Sequence, residues 1–210
     1  MKNVKTALFV IITIIGLSVL FYFMPLSKII GNLPFVNKFY NNTSIEIVAK
    51  NGRARVWING KEEGETPLTI EDLPQGEYTI ELQRVSTQES FYEKHSFTVD
   101  LSKNTSARID MEIGPNSLLH GTILYYTPIK MNNKGKAYLN VVSNVDGAKI
   151  YVDKDFSSTD SITNLVLNSG QYEISVTASG YEDIKIPILL REGYQLNLKT
   201  YQFPVPVSYE

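Results

Sequence analysis

Residues 54–82 read ARVWINGKEEGETPLTIEDLPQGEYTIEL, and 94 positions later residues 148–176 read AKIYVDKDFSSTDSITNLVLNSGQYEISV. The overlay needs no gap and extends back to Ile45 on Leu139. Ala54 falls on Ala148, Thr69 on Thr163, Leu73 on Leu167, Gly76 on Gly170, Tyr78 on Tyr172 and Ile80 on Ile174. Identities are few, but they stand where strands and turns need them. A period of about 94 residues is too long for a solenoid unit and fits a small domain plus a linker. The expectation is two tandem copies of one β-domain.

Alternation sets the secondary structure. Ile45, Ile47 and Ala49 alternate with polar neighbours, as do Ala54, Val56 and Ile58, then Tyr78, Ile80 and Leu82. Phe97, Val99 and Leu101 continue the pattern, and Ala107, Ile109, Met111 and Ile113 end it. A period of two over five or more residues predicts half-buried strands. Asn59-Gly60 is a tight-turn dipeptide, and Leu73-Pro74-Gln75-Gly76 sets Pro and Gly where a turn uses them. In the second copy Leu139 and Val141, then Ala148, Ile150 and Val152, then Tyr172, Ile174 and Val176 repeat the plan. Its later part aligns at a spacing of 89, with Tyr92 on Tyr181 and Ile109 on Leu198. The first copy therefore carries a loop about five residues longer near Arg84–Ser90, as loop tips tolerate.

The run Asn59-Gly60, Gly64-Glu65-Thr66-Pro67-Leu68 and Leu73-Pro74-Gln75-Gly76-Glu77-Tyr78 resembles the PEGA domain family. The second copy is similar at Gly147-Ala148, Val152-Asp153, Gly170-x-Tyr172 and Ser179-Gly180-Tyr181-Glu182. It departs at the Thr-Pro loop, where Asp160-Ser161 stands, and at the turn proline, replaced by Asn168. It is a degenerate copy. The resemblance implies an all-β chain of two small antiparallel β-sandwiches, transthyretin-like or immunoglobulin-like. It also implies accessory or adhesive modules of prokaryotic cell surfaces and envelopes, and it brings no catalytic residue. Domain 1 is expected over 44–113 and domain 2 over 137–203, with a linker at 114–136 that has room for an extra strand. The tail, 204–210, carries Pro204 and Pro206 and cannot be a central strand.

Ahead of the repeats, Lys2 and Lys5 precede an uncharged run from Thr6 to Leu26. About 20 apolar residues cross a bilayer as a helix. Phe21, Tyr22 and Phe23 stand at its far end, where an interfacial belt is expected. The run exceeds the core of a signal peptide and lacks a small-residue cleavage site. A transmembrane helix is thus expected over 6–26, with 1–5 cytoplasmic, 27–43 a juxtamembrane spacer and the β-domains extracytoplasmic. A cleaved signal is the alternative. Residues 1–28 hold three lysines and no acid, leaving 17 basic and 22 acidic groups in the remainder. That balance, without a basic stripe, argues against nucleic-acid binding.

The chain has two histidines, His95 and His120, and no cysteine. Neither histidine neighbours a nucleophile motif, so no enzyme and no cofactor is expected. Asp153, Asp155 and Asp160 offer oxygens of the kind calcium takes. The loop lacks the glycine and closing glutamate of an EF-hand, and a solvated turn is the expectation. Trp57 and Tyr151 occupy equivalent positions, each two residues after a cation, Arg55 or Lys149. These four alternate with the apparent core set and should point away from it. They form the candidate interaction surface, for a glycan or peptide. The plainer expectation is that both rings pack against a loop, the linker or the other domain. Asn41, Asn42 and Asn104 open glycosylation sequons, relevant only in a host that uses them. The reading is a membrane-anchored spacer or accessory subunit of a cell envelope, with envelope proteins or cell-wall glycans as partners. A glycan-binding module is the alternative.

Overall fold

A computed structural model describes residues 43–130 and 134–206. The expected membrane span, and most of the spacer, lie outside the described residues. No described helix is long and apolar enough to cross a membrane. The described chain is all-β apart from one 3-10 turn, Glu89–Phe91.

The first repeat supplies β1 (Ser44–Lys50), β2 (Ala54–Ile58), β3 (Lys61–Glu65), β4 (Leu68–Ile70), β5 (Gly76–Arg84), β6 (His95–Leu101) and β7 (Ser106–Ile113). Then comes β8 (Leu119–Pro128), within the segment expected to be the linker. The second repeat supplies β9 (Lys136–Ser143), β10 (Lys149–Val152), β11 (Asp155–Thr159), β12 (Ser161–Asn168), β13 (Gly170–Thr177), β14 (Ile184–Leu190) and β15 (Tyr194–Tyr201). The strand orders match. β3-β2-β5-β6 form one four-stranded sheet and β11-β10-β13-β14 another, each strand standing where its counterpart stands. The remaining strands form a single seven-stranded sheet, β12-β9-β15-β8-β7-β1-β4.

Two features depart from independent antiparallel domains. β1 pairs with β7 in parallel, and β9 with β15 in the same way. Each such pair joins the first and last strands of a repeat, so no tight hairpin dictates an antiparallel partner. The repeats also share a sheet, because β8 pairs antiparallel with β7 on one side and β15 on the other.

Strand β8 is buried on both faces because side chains alternate along a strand. Leu119 and Ile123 belong to the first core, with Ile45, Ile47, Val56, Ile80, Leu82, Val99 and Ile109. Tyr126 belongs to the second, with Leu139, Val141, Ile150, Ile174, Val176, Leu196 and Leu198, and Leu124 packs against it. Ile123 lies opposite Ile109 and Leu124 opposite Leu198. Successive residues thus feed different cores, and the two four-stranded sheets cover opposite faces of the seven-stranded one. Gly121 makes the β7–β8 approach possible. A Cβ there would run into the Asp110 carbonyl oxygen and lie 2.9 Å from Met111 Cα.

Candidate interaction surface

The turns behind the repeat signature carry hydrogen bonds that recur at the same spacing of 94. Asn59 sits at φ 50° and Asp153 at φ 49°, the left-handed region that Asn and Asp tolerate. Asn59 Oδ1 accepts from the Thr79 N–H at 2.9 Å, and Asp153 Oδ1 accepts from the Glu173 N–H at 2.8 Å. The Tyr78 hydroxyl donates to the Pro74 carbonyl at 2.7 Å, and that of Tyr172 donates to the Asn168 carbonyl at 3.1 Å. Asn168 therefore keeps the carbonyl role of the proline it replaces. Buried Thr66 donates its N–H to the Ala54 carbonyl and accepts from the Ala54 N–H through Oγ1 at 2.9 Å. Asp160 repeats the first of these bonds, donating its N–H to the Ala148 carbonyl, while its carboxylate accepts from the N–H one residue earlier, that of Gly147. Asp160 thus ties down the position of the lost Thr-Pro loop with one conserved bond and one shifted by a residue.

Of the three aspartates considered for calcium, Asp153 and Asp160 spend side-chain oxygens on these turns. Among the described residues no three His, Cys, Asp or Glu side chains converge on a metal position.

The PEGA domain model matches residues 43–117 and 137–202, about two-thirds of the chain in two copies. This chain belongs to the PEGA domain family. No curated protein matches its sequence.

In the first PEGA repeat Trp57 stands on the outward face of β2, opposite Glu81 of β5. Lys94 Nζ lies 3.9 Å from the ring centroid, and the Arg55 guanidinium lies 5.9 Å away. Glu81 holds Lys94 at 3.0 Å, and Glu62 lies 3.6 Å from Arg55. This cover comes from the ring's own sheet. Tyr151 is placed differently. Its ring meets Phe156 of β11 edge-on at 5.8 Å, and Phe156 is 59 % exposed. Lys149 is exposed at the start of β10. The structure therefore brings Arg55 to Trp57 and adds Lys94, while Tyr151 gains an aromatic partner. Lys94 had no signal in the sequence, since its role depends on β6 lying beside β5.

Because the four-stranded sheets lie on opposite faces, each leaves the other repeat's outer sheet surface open. On the first PEGA repeat this surface meets β14 in a cleft of about 550 Å³ lined by Lys50, Arg108, Asp110, His120, Lys185 and Pro187 among others. Lys50 pairs with Asp110 at 3.3 Å and Arg108 with Glu46 at 3.0 Å, and His120 Nδ1 lies 3.2 Å from the Glu182 carboxylate. The corresponding surface of the second repeat is an amide row. Asn140 donates to Asn197 at 3.2 Å, Gln195 donates to Asn197 at 2.8 Å, and Asn197 donates to Thr127 Oγ1 at 3.1 Å.

His95 does not line that cleft. Its ring stacks on Phe97 with centroids 6.5 Å apart. Burial lowers its pKa from the ordinary value, opposed by the Glu93 carboxylate and a bond to the Asn116 backbone. Burial also raises the phenol of Tyr126, whose hydroxyl donates to the Leu189 carbonyl at 2.6 Å, against a weaker pull from Arg191.

Proposed function

We propose that this PEGA protein is a membrane-anchored, extracytoplasmic structural or interaction component of a prokaryotic cell envelope. Its two β-sandwich modules act as a spacer or accessory subunit without catalysis. The observation that carries this reading is β8, whose two faces feed two cores. A strand shared in this way resists bending between modules, because bending would open both cores. That suits a part that holds others at a distance. The uncharged run from Thr6 to Leu26 supports the anchor, and the family supports the surface role. The partners are envelope proteins or cell-wall glycans.

The full chain should remain with membranes through carbonate extraction, and external protease should digest the β-modules in cells with a permeabilised wall. Release by carbonate, or β-modules protected until the membrane is lysed, would defeat the proposal.

A glycan-binding role is supported by exposed Phe156, edge-on to the half-buried Tyr151 ring. Under that reading Phe156→Ala lowers retention on isolated cell-wall polysaccharide while the melting temperature holds. Unchanged retention removes it.

A further inference from the structure

We propose that β12 is a pairing edge, and that a second copy of this chain docks on it strand to strand. The three sheets leave six free edges among the described residues: β3, β4, β6, β11, β12 and β14. An open edge presents unpaired N–H and C=O groups, and proteins blunt such edges with charge, proline or shortness. β3 carries Lys61, Glu62, Glu63 and Glu65. β6 carries Asp100, and β11 opens on Asp155. β14 carries Lys185 and Pro187. β4 has only three residues, with Pro67 before it and Glu71-Asp72 after.

β12 is eight residues long, SITNLVLN, with no charge, no proline and no glycine. Low charge and high β-propensity without Pro is the composition of segments that pair with copies of themselves. The comparison with β4, its counterpart in the first repeat, is internal to this molecule. The same position is a protected stub in one repeat and an uncharged, proline-free edge in the other.

Both faces of β12 are left incompletely covered. Leu165 and Leu167 pack against the second core yet remain half-buried. On the opposite face Val166 is 44 % exposed beside Tyr138, and Val142 of β9 is 50 % exposed. The ladder breaks between Ile162 and Leu165, where Asn164 stands at φ 53° and gives its N–H to Asn140 Oδ1 at 2.7 Å, so the regular edge open to pairing is 165–168. A second β12 laid antiparallel about a two-fold axis would use the free backbone groups and cover these apolar side chains. Charge selects the occupant. A neutral strand offers nothing to hold a charged foreign segment, whereas its own copy is equally neutral and brings no like-charge repulsion.

The chain has no cysteine, so an introduced thiol is the only one present. Single cysteines at Thr163, Asn164, Leu165, Val166, Leu167 and Asn168 in the full chain, in detergent, are oxidised and run without reductant. A two-fold axis brings one position of β12 opposite its own copy, at the separation a disulfide requires. A maximum of cross-linked dimer within this set is expected, well above that of Thr69→Cys on β4, which reports association through any other segment. Adding Val166→Lys to the best cross-linker should abolish the dimer band and leave the far-UV spectrum native. No cross-linking along β12, an equal band at Thr69→Cys, or a dimer that survives Val166→Lys in a folded chain would overturn the proposal. Should Val166→Lys fail to fold, the comparison of β12 with Thr69 still decides.

Discussion

Gly121→Ala tests the shared strand at its tightest point. Gly121 has φ +144°, a conformation that side chains rarely adopt, and it pairs with Met111 across the β7–β8 ladder. The added methyl would meet the Asp110 carbonyl oxygen and Met111 Cα, and these are backbone atoms that cannot rotate away. Relief requires β8 to move off β7, loosening Ile123 from the first core and Tyr126 from the second. Gly76 separates the two costs. Its φ is +149°, but a Cβ there would meet nothing within 4 Å. Gly76→Ala therefore measures conformational strain, about 1 kcal/mol. Gly121→Ala adds overpacking against backbone, typically 1–3 kcal/mol more, for a total of roughly 2–4 kcal/mol. For a folded unit of this size that is a melting-temperature loss of roughly 4–16 °C. Urea denaturation of both variants, followed by intrinsic fluorescence, gives the comparison directly. If Gly121→Ala costs no more than Gly76→Ala, the close approach of β7 and β8 is wrong.

Three further outcomes are expected. Ile174→Ala, deep in the second core, should cost about 2–5 kcal/mol and shift one cooperative transition, with calorimetric and van't Hoff enthalpies agreeing; two resolved transitions would mean that β8 does not couple the repeats. Thr66→Val leaves the buried Ala54 N–H without its acceptor and should destabilise by about 1–3 kcal/mol, measured by chemical denaturation; a neutral result would remove Thr66 from the turn's framework. The neutral imidazole of His95 is favoured in the fold because burial lowers its pKa, so the unfolded chain takes up the proton first as pH falls. Its contribution is complete above about pH 6.5 and declines below that value. Melts of wild type and His95→Gln between about pH 7.5 and pH 5 should therefore show a steeper acid loss in the wild type, and parallel curves would contradict the burial.

The repeats and their strands were legible in the sequence because their causes are local. Alternation in Val56–Ile58 or Ile174–Val176 records which face of a strand meets the core. Asn59, Gly76 and Tyr78 record turns that close within a few residues or across one hairpin. Asp160 shows the limit of that reading. As a letter it departs from Thr66, and only the folded chain shows that its N–H repeats the Thr66 bond while its carboxylate takes the neighbouring Gly147 N–H. The close approach at Gly121 was not read from the sequence, because which strand approaches it is a nonlocal fact. The same holds for Lys94 over Trp57, brought there by sheet order, and for β12, whose exposure follows from its place at the end of seven strands. Sequence by itself determined two copies of a β-fold and the turns that shape them. Tertiary structure decided that β8 joins the copies into one sheet, because pairing between distant strands depends on which edges remain open once each repeat has folded.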